Sequence, residues 1–123
     1  MEIIGSFSMA RYTAFFVIAI NIQDAREILI DIMESCNLDL IYQTPSSLIA
    51  REAIGQVSIS QLVTLEVVFD TATSTDTEIK MTVVLKNEEL PLQPDNHCRQ
   101  MFELVSEMII NHRQWVLLES MTL

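Results

Sequence analysis

The chain has 123 residues, half of them hydrophobic, with 17 acidic side chains against 7 basic ones and a net charge of −10. That length suits one domain with its own core and is too short for two, and the apolar fraction excludes a disordered tail. The negative field repels phosphate backbones and anionic lipid surfaces, which argues against nucleic-acid and membrane partners.

The N-terminus comes first. The apolar run Tyr12–Ile20 resembles neither a leader nor a span: Glu2 stands where a signal peptide is positive, and Arg11 interrupts the run. Thr13 to Ile20 is far short of the ~20 residues a spanning helix needs. A soluble, cytoplasmic protein without a membrane anchor is expected. Residues 1–10 read as an N-terminal extension and residues 11–120 as a single α+β domain. Met9 precedes the first strong element, so residues 1–8 read as dispensable.

Arg11 to Asn21 (RYTAFFVIAIN) is rich in β-branched and aromatic residues and reads as a strand. Tyr12, Phe16, Ile18 and Ile20 share one face, and Phe15 and Val17 the other, so both faces want cover. In NIQDAREILIDIMESCN, Asn21 and Asp24 form a capping pair, and Ile22, Ala25, Ile28, Leu29, Ile32, Met33 and Cys36 recur at helical spacing. Asn37 suits the C-terminal end of that helix.

LDLIYQT and SLIAREA read as two short strands turning on Pro45 and Ser46, and Ile54–Ser60 carries the chain onward. A second hairpin pairs about Gln61–Thr71 with about Thr77–Asn87. Val63, Leu65, Val67 and Phe69 match Ile79, Met81, Val83 and Leu85 on one face. Thr64, Glu66, Val68 and Asp70 match Glu78, Lys80, Thr82, Val84 and Lys86 on the other. This period of two describes an antiparallel sheet with one buried and one partly wet face. The last element, about Asp95 to Ser120, reads as a long helix with Met101, Leu104, Val105, Met108, Ile109, His112 and Trp115 on its apolar stripe. The expected core is Ile28, Ile32, Leu65, Val67, Phe69, Met81, Val83, Leu85, Leu104, Val105 and Met108.

The order β-α-β-β-β-β-α argues for an α+β fold: a curved antiparallel sheet with two helices on one face. That order is similar to the TATA-binding-protein-like arrangement, a likeness of pattern alone, since no basic concave face for DNA is present. The stretches GQVSISQLVTLEVVFDT and VVLKNEELPLQPDNHCRQMFELV resemble a small family of uncharacterised cyanobacterial proteins, over about Arg11 to Ser120. The resemblance implies a cytosolic bacterial protein and carries no catalytic residue, ligand or reaction.

The one stretch that looks like chemistry is Asp95-Asn96-His97-Cys98. Neighbours on a helix point about 100° apart, so His97 and Cys98 make a poor dyad. His112 lies roughly 21 Å further along a continuous helix, too far to share an ion with them. Pro94, Asp95 and Asn96 instead suit a helix start, where Cys98 gains a lowered pKa and becomes a modifiable thiol rather than a catalytic or zinc-binding one. No catalytic residue, metal or cofactor is assigned. Cys36 and Cys98 read as reduced thiols, His112 as a partly buried histidine and Trp115 as a core anchor. Arg51, Lys80 and Lys86 read as cross-strand partners of Glu52, Glu66 and Glu78 rather than an anion site.

The function expected is therefore non-enzymatic: a protein–protein interaction module such as an adaptor, assembly factor or small chaperone-like subunit. It would dock partners on the outer sheet face or on the first strand, with the acidic surface steering a basic protein. A carrier of a small apolar ligand beneath Met101, Met108 and Trp115 is the alternative. An enzyme using Cys98 and His97 is a further one. Phe16 and Ile18 (or else Phe15 and Val17), with Thr64, Val68, Thr82 and Val84, form the expected interaction surface. A homodimer covering it is favoured over a monomer in which Ile3, Ile4 and Phe7 fold back.

Overall fold

The computed structural model describes residues 9–90 and 96–123. Strand β1 (Ala10–Ala19) leads to helix α1 (Ile22–Ser35) and strands β2 (Leu38–Thr44), β3 (Ser47–Glu52), β4 (Thr64–Phe69) and β5 (Ile79–Asn87). Helix α2 (His97–Ile110) and strand β6 (Val116–Thr122) follow. The strands form one curved antiparallel sheet in the order β2-β3-β4-β5-β1-β6. The fold is α+β, as the element pattern implies, with β6 as an addition. The expected fold-back residues Ile3, Ile4 and Phe7 lie outside the described residues, as do Pro94 and Asp95.

Helix α1 starts where Asn21 satisfies the backbone. Its Oδ1 accepts from the Asp24 N–H at 2.9 Å, and its Nδ2 donates to the Asp24 carboxylate at 2.9 Å. The helix ends at Cys36, and Asn37 follows at φ 61°, the left-handed conformation that asparagine tolerates. Ala25, Ile28, Leu29, Ile32 and Met33 are buried. They share one core with the buried face of α2 and with the inward residues of the sheet, so both helices lie on the same side. Leu65 pairs with Leu85, Val67 with Val83 and Phe69 with Met81, all buried, which is the expected parity.

Three expectations are corrected. First, Phe16 and Ile18 are 1% and 0% exposed and belong to the core, not to a free surface. Phe15 and Val17 take the outer face, because Phe16 opposes Met81 and so shares the helix-covered side. Strand β1 is also paired on both edges, by β5 and β6, so it offers no edge for a partner.

Second, the last helix stops at Ile110, with Asn111 as its C-cap, and β6 pairs with β1. Residues 112 and 115 sit at helical spacing from Met108 and so imitate a continuing stripe. Trp115 is a buried anchor all the same: its indole N–H donates to the Ile109 carbonyl at 2.8 Å, back across the helix end. His112 is half-buried beside it, accepting from the Gln114 N–H through Nδ1 at 3.2 Å. Third, Leu104 is 43% exposed. The buried arc of α2 runs through Cys98, Met101, Phe102, Val105 and Ile109, and Leu104 falls beyond its edge. Met108 is only partly buried, against Cys36, its sulfur 3.3 Å from the Cys36 thiol.

Candidate functional site

Two regions gather the polar chemistry. The first is the start of α2. Asn96 is the N-cap, and its Oδ1 accepts from the Arg99 N–H at 2.6 Å while its Nδ2 donates to the Tyr12 hydroxyl at 2.7 Å. The Tyr12 ring stacks on Phe102, which ties the helix start to β1. Glu89 completes the cap from the far side of the loop. Its carboxylate accepts from the His97 N–H at 3.0 Å and the Cys98 N–H at 2.9 Å. Three of the N–H groups that a helix start leaves unpaired are thereby satisfied.

His97 then reaches β3. Its Nε2 lies 2.8 Å from both carboxylate oxygens of Glu52. A carboxylate only accepts, so the ring N–H is the donor that this contact requires. Glu52 is 4% exposed, and its Oε1 also accepts from the Val63 N–H at 3.1 Å. The pair thus bridges the end of β3, the start of β4 and α2. A carboxylate orienting a histidine is one half of a general-base device. The other half is an activated nucleophile, and Cys98 does not supply it. Its thiol is fully buried and pushed up to about 12, by burial first and then by the charges of Glu89 and Glu52. The expected lowering at a helix start is reversed, because two carboxylates and desolvation outweigh the helix dipole. Cys36 is likewise buried and raised by burial, and both cysteines are free thiols.

Among the described residues, no three His, Cys, Asp or Glu side chains converge as metal ligands. Met101 and Trp115 belong to the core, with Met108 packed against it. Met108 also lines a hollow of about 480 Å³ with Glu107, Asn111, His112 and Arg113.

The second region is the outer sheet face, which the helices leave uncovered. Register places Phe15, Thr82, Val68 and Ser47 in one row across the strands, with Met121 of β6 beside Phe15. A parallel row holds Thr13, Val84, Glu66, Ile49 and Tyr42. Val84 is 5% exposed and Val68 40%, while Thr64 and Thr82 are half-buried. Thr64, Val68, Thr82 and Val84 therefore share the outer face of the sheet.

The charges on this face are not paired as expected. Glu52 points to the helix side, and Glu66 opposes Ile49 and Val84 rather than a cation. Among the described residues the ion pairs are His97–Glu52 and Arg99–Glu103, so Arg51, Lys80 and Lys86 belong to none. Instead Arg51, Thr64, Lys86 and Arg11 follow one another across β3, β4, β5 and β1. Lys80 acts on Asp70, whose carboxyl is held below the usual range, chiefly by a hydrogen bond from the Thr73 hydroxyl.

Sequence reasoning missed Glu52 and Glu89 as partners of α2. For Glu52 a signal existed: Leu48, Ala50 and Glu52 share the buried parity of β3, so an acid stood on a core face. Glu89 carries no such mark, because its role depends on a loop crossing. No family model matches the chain, and no curated protein matches it.

Proposed function

We propose that the protein is a non-enzymatic protein–protein interaction module that pairs with a second copy of itself through the outer sheet face. The observation that carries this reading is the apolar band on the outer face, where Phe15, Ile49, Val68 and Met121 keep exposed surface around the buried Val84, across five of the six strands. A sheet with one face on the core leaves such a band wet unless something covers it.

Charge supports a second copy as the cover. The face holds Arg11, Arg51, Lys80 and Lys86, four of the seven basic residues, against Asp39, Glu66, Asp70 and Glu119. The helix side is acidic, with Asp24, Glu27, Asp31, Glu34, Glu103 and Glu107 exposed. Two copies meeting by their outer faces bring together balanced surfaces and keep the acidic sides apart. Sheets stacked in this way lie about 10 Å apart. The acidic helix layer then remains free to steer a basic protein partner.

The helix-start chemistry fits a non-catalytic role. His97 is tied to Glu52, Glu89 is spent on the cap and Cys98 is sealed. A cytoplasmic location suits two free thiols. No helix among the described residues is long and apolar enough to cross a membrane.

Light scattering of the full chain tests the pairing. The expected mass is twice 14.0 kDa, and Val68→Glu should return the protein to 14.0 kDa with its circular dichroism unchanged. A wild-type mass of 14.0 kDa at micromolar concentration overturns it.

A further inference from the structure

The row of cations ends in a hollow. Arg51, Thr64 and Lys86 line a cavity of about 420 Å³ together with Met9, Ile54, Ile59, Leu62, Asn87 and Glu88. Its volume falls within the range of small-molecule sites. Two features of this hollow bear on what it can hold. Two cations, Arg51 and Lys86, line it together, and neither forms an ion pair among the described residues. And the loop between β3 and β4, reversed at Gly55 (φ 114°), presents Ile54 and Ile59 at 85% and 81% exposure over the same hollow.

We propose that this hollow binds a small amphiphilic carboxylate, a molecule with one anionic head and an unbranched apolar body. The head sits between Arg51 and Lys86, over the Thr64 hydroxyl. Strands β3 and β5 flank β4, so the two cations start about 10 Å apart, within reach of one head group for side chains of their length. A guanidinium fork and an ammonium are a fitting pair for a carboxylate. The body lies against Ile54, Ile59 and Leu62, which removes from water the apolar surface that the fold leaves exposed. Asn87 is spent elsewhere: its side-chain NH2 donates to the Gln61 carbonyl at 3.0 Å and to the Glu89 carboxylate. Glu88 is the one opposing charge at the hollow, exposed and outnumbered by the two cations.

The site differs from a carrier cavity between sheet and helix, because it lies at the outer sheet face and the β3–β4 loop. It shares Arg51 and Lys86 with the face proposed to pair, so a second copy and the carboxylate compete for them, but Val68 is not part of its lining. Val68→Glu should abolish the dimer and leave this binding intact.

Calorimetric titration of the full chain with decanoate, below its micellar concentration, is the test. Saturable binding of one molecule per chain is expected. Decanol, which lacks the charge, and acetate, which lacks the body, should each bind at least about tenfold more weakly. The R51Q/K86Q pair should lose about tenfold in affinity, and Glu88→Gln should gain affinity. Amide shifts on decanoate addition should centre on Leu62, Thr64 and Lys86, a readout that needs no variant. Equal affinity for decanol, unchanged affinity in a folded R51Q/K86Q protein, or shifts centred on α2 would each overturn the proposal. So would binding that appears only after removal of residues 1–8, which would give the hollow to the chain's own N-terminus.

Discussion

Glu89 holds the start of α2 with one carboxylate and joins it to the loop through Asn87 and Gln61. Burial pushes its carboxyl up, but hydrogen bonds from the Asn87 side chain, the His97 and Cys98 N–H groups and Gln61 outweigh that and bring it below its ordinary 4.5. A carboxylate depressed on folding contributes stability that is fully present above the unfolded value and lost as pH falls through the folded one. Glu89→Gln should therefore cost about 1.5–3 kcal/mol near neutral pH, the range for hydrogen bonds to a charged group. That cost should begin to shrink below about pH 4.5, where the unfolded side chain becomes neutral, and disappear as pH falls through the lower folded value. Urea melts of both proteins from about pH 7 to about pH 3 check it, and a cost that stays constant over that span sinks it. Glu52 acts differently, since its partners are the His97 ring and the Val63 N–H rather than a helix terminus.

At the level of elements, the β4–β5 pair is the frame on which the rest packs. Phe69 is 2% exposed, opposes Met81 and carries the Arg26 guanidinium 5.3 Å over its ring. Arg26 also donates to the Thr44 carbonyl, so one aromatic ring helps fix α1 against the end of β2. Phe69→Ala should cost about 3–5 kcal/mol, measured by urea denaturation. A loss below about 1 kcal/mol would mean that the site collapses around the change or that Phe69 faces water. These strands were readable because each alternates apolar and polar residues, and only one register buries the apolar set. Strand β1 was readable as an element but not in orientation, because it is apolar on both faces; only pairing with β5 decides that Phe16 goes in and Phe15 out. Strand β6 was hidden altogether. The residues after Asn111 include neither glycine nor proline, and His112 and Trp115 continue the helical period. What decides against a helix there is tertiary: β1 needs a partner on its second edge, and Trp115 is held by Ile109. The helix start at Asn96 was readable from capping chemistry, while the Glu89 and Glu52 contacts depend on segments distant in sequence.

The whole molecule separates its charge, and this separation makes the proposed pairing sensitive to salt in a defined direction. Each copy carries −10, with exposed carboxylates along both helices and the basic residues concentrated on the outer face. Two approaching copies repel at long range whatever surfaces they present. Face-to-face contact gains little from ion pairs, because each face is already close to balanced and exposed pairs contribute about 0–1 kcal/mol. Screening therefore removes more repulsion than attraction, since the Debye length falls to about 10 Å at 0.1 M salt. The dimer should tighten several-fold as sodium chloride rises from about 20 to about 200 mM, measured by sedimentation velocity across a dilution series. A different assembly gives the opposite sign. If the basic row of one copy met the acidic helices of the next, attraction would dominate and salt would loosen the contact. That heterologous arrangement leaves a free basic row and a free helix layer on any pair, so it would grow beyond two copies, into a ring or a filament. Weakening with salt, or mass that climbs past the dimer at low salt, would therefore remove the face-to-face pairing and put a helix-to-sheet contact in its place.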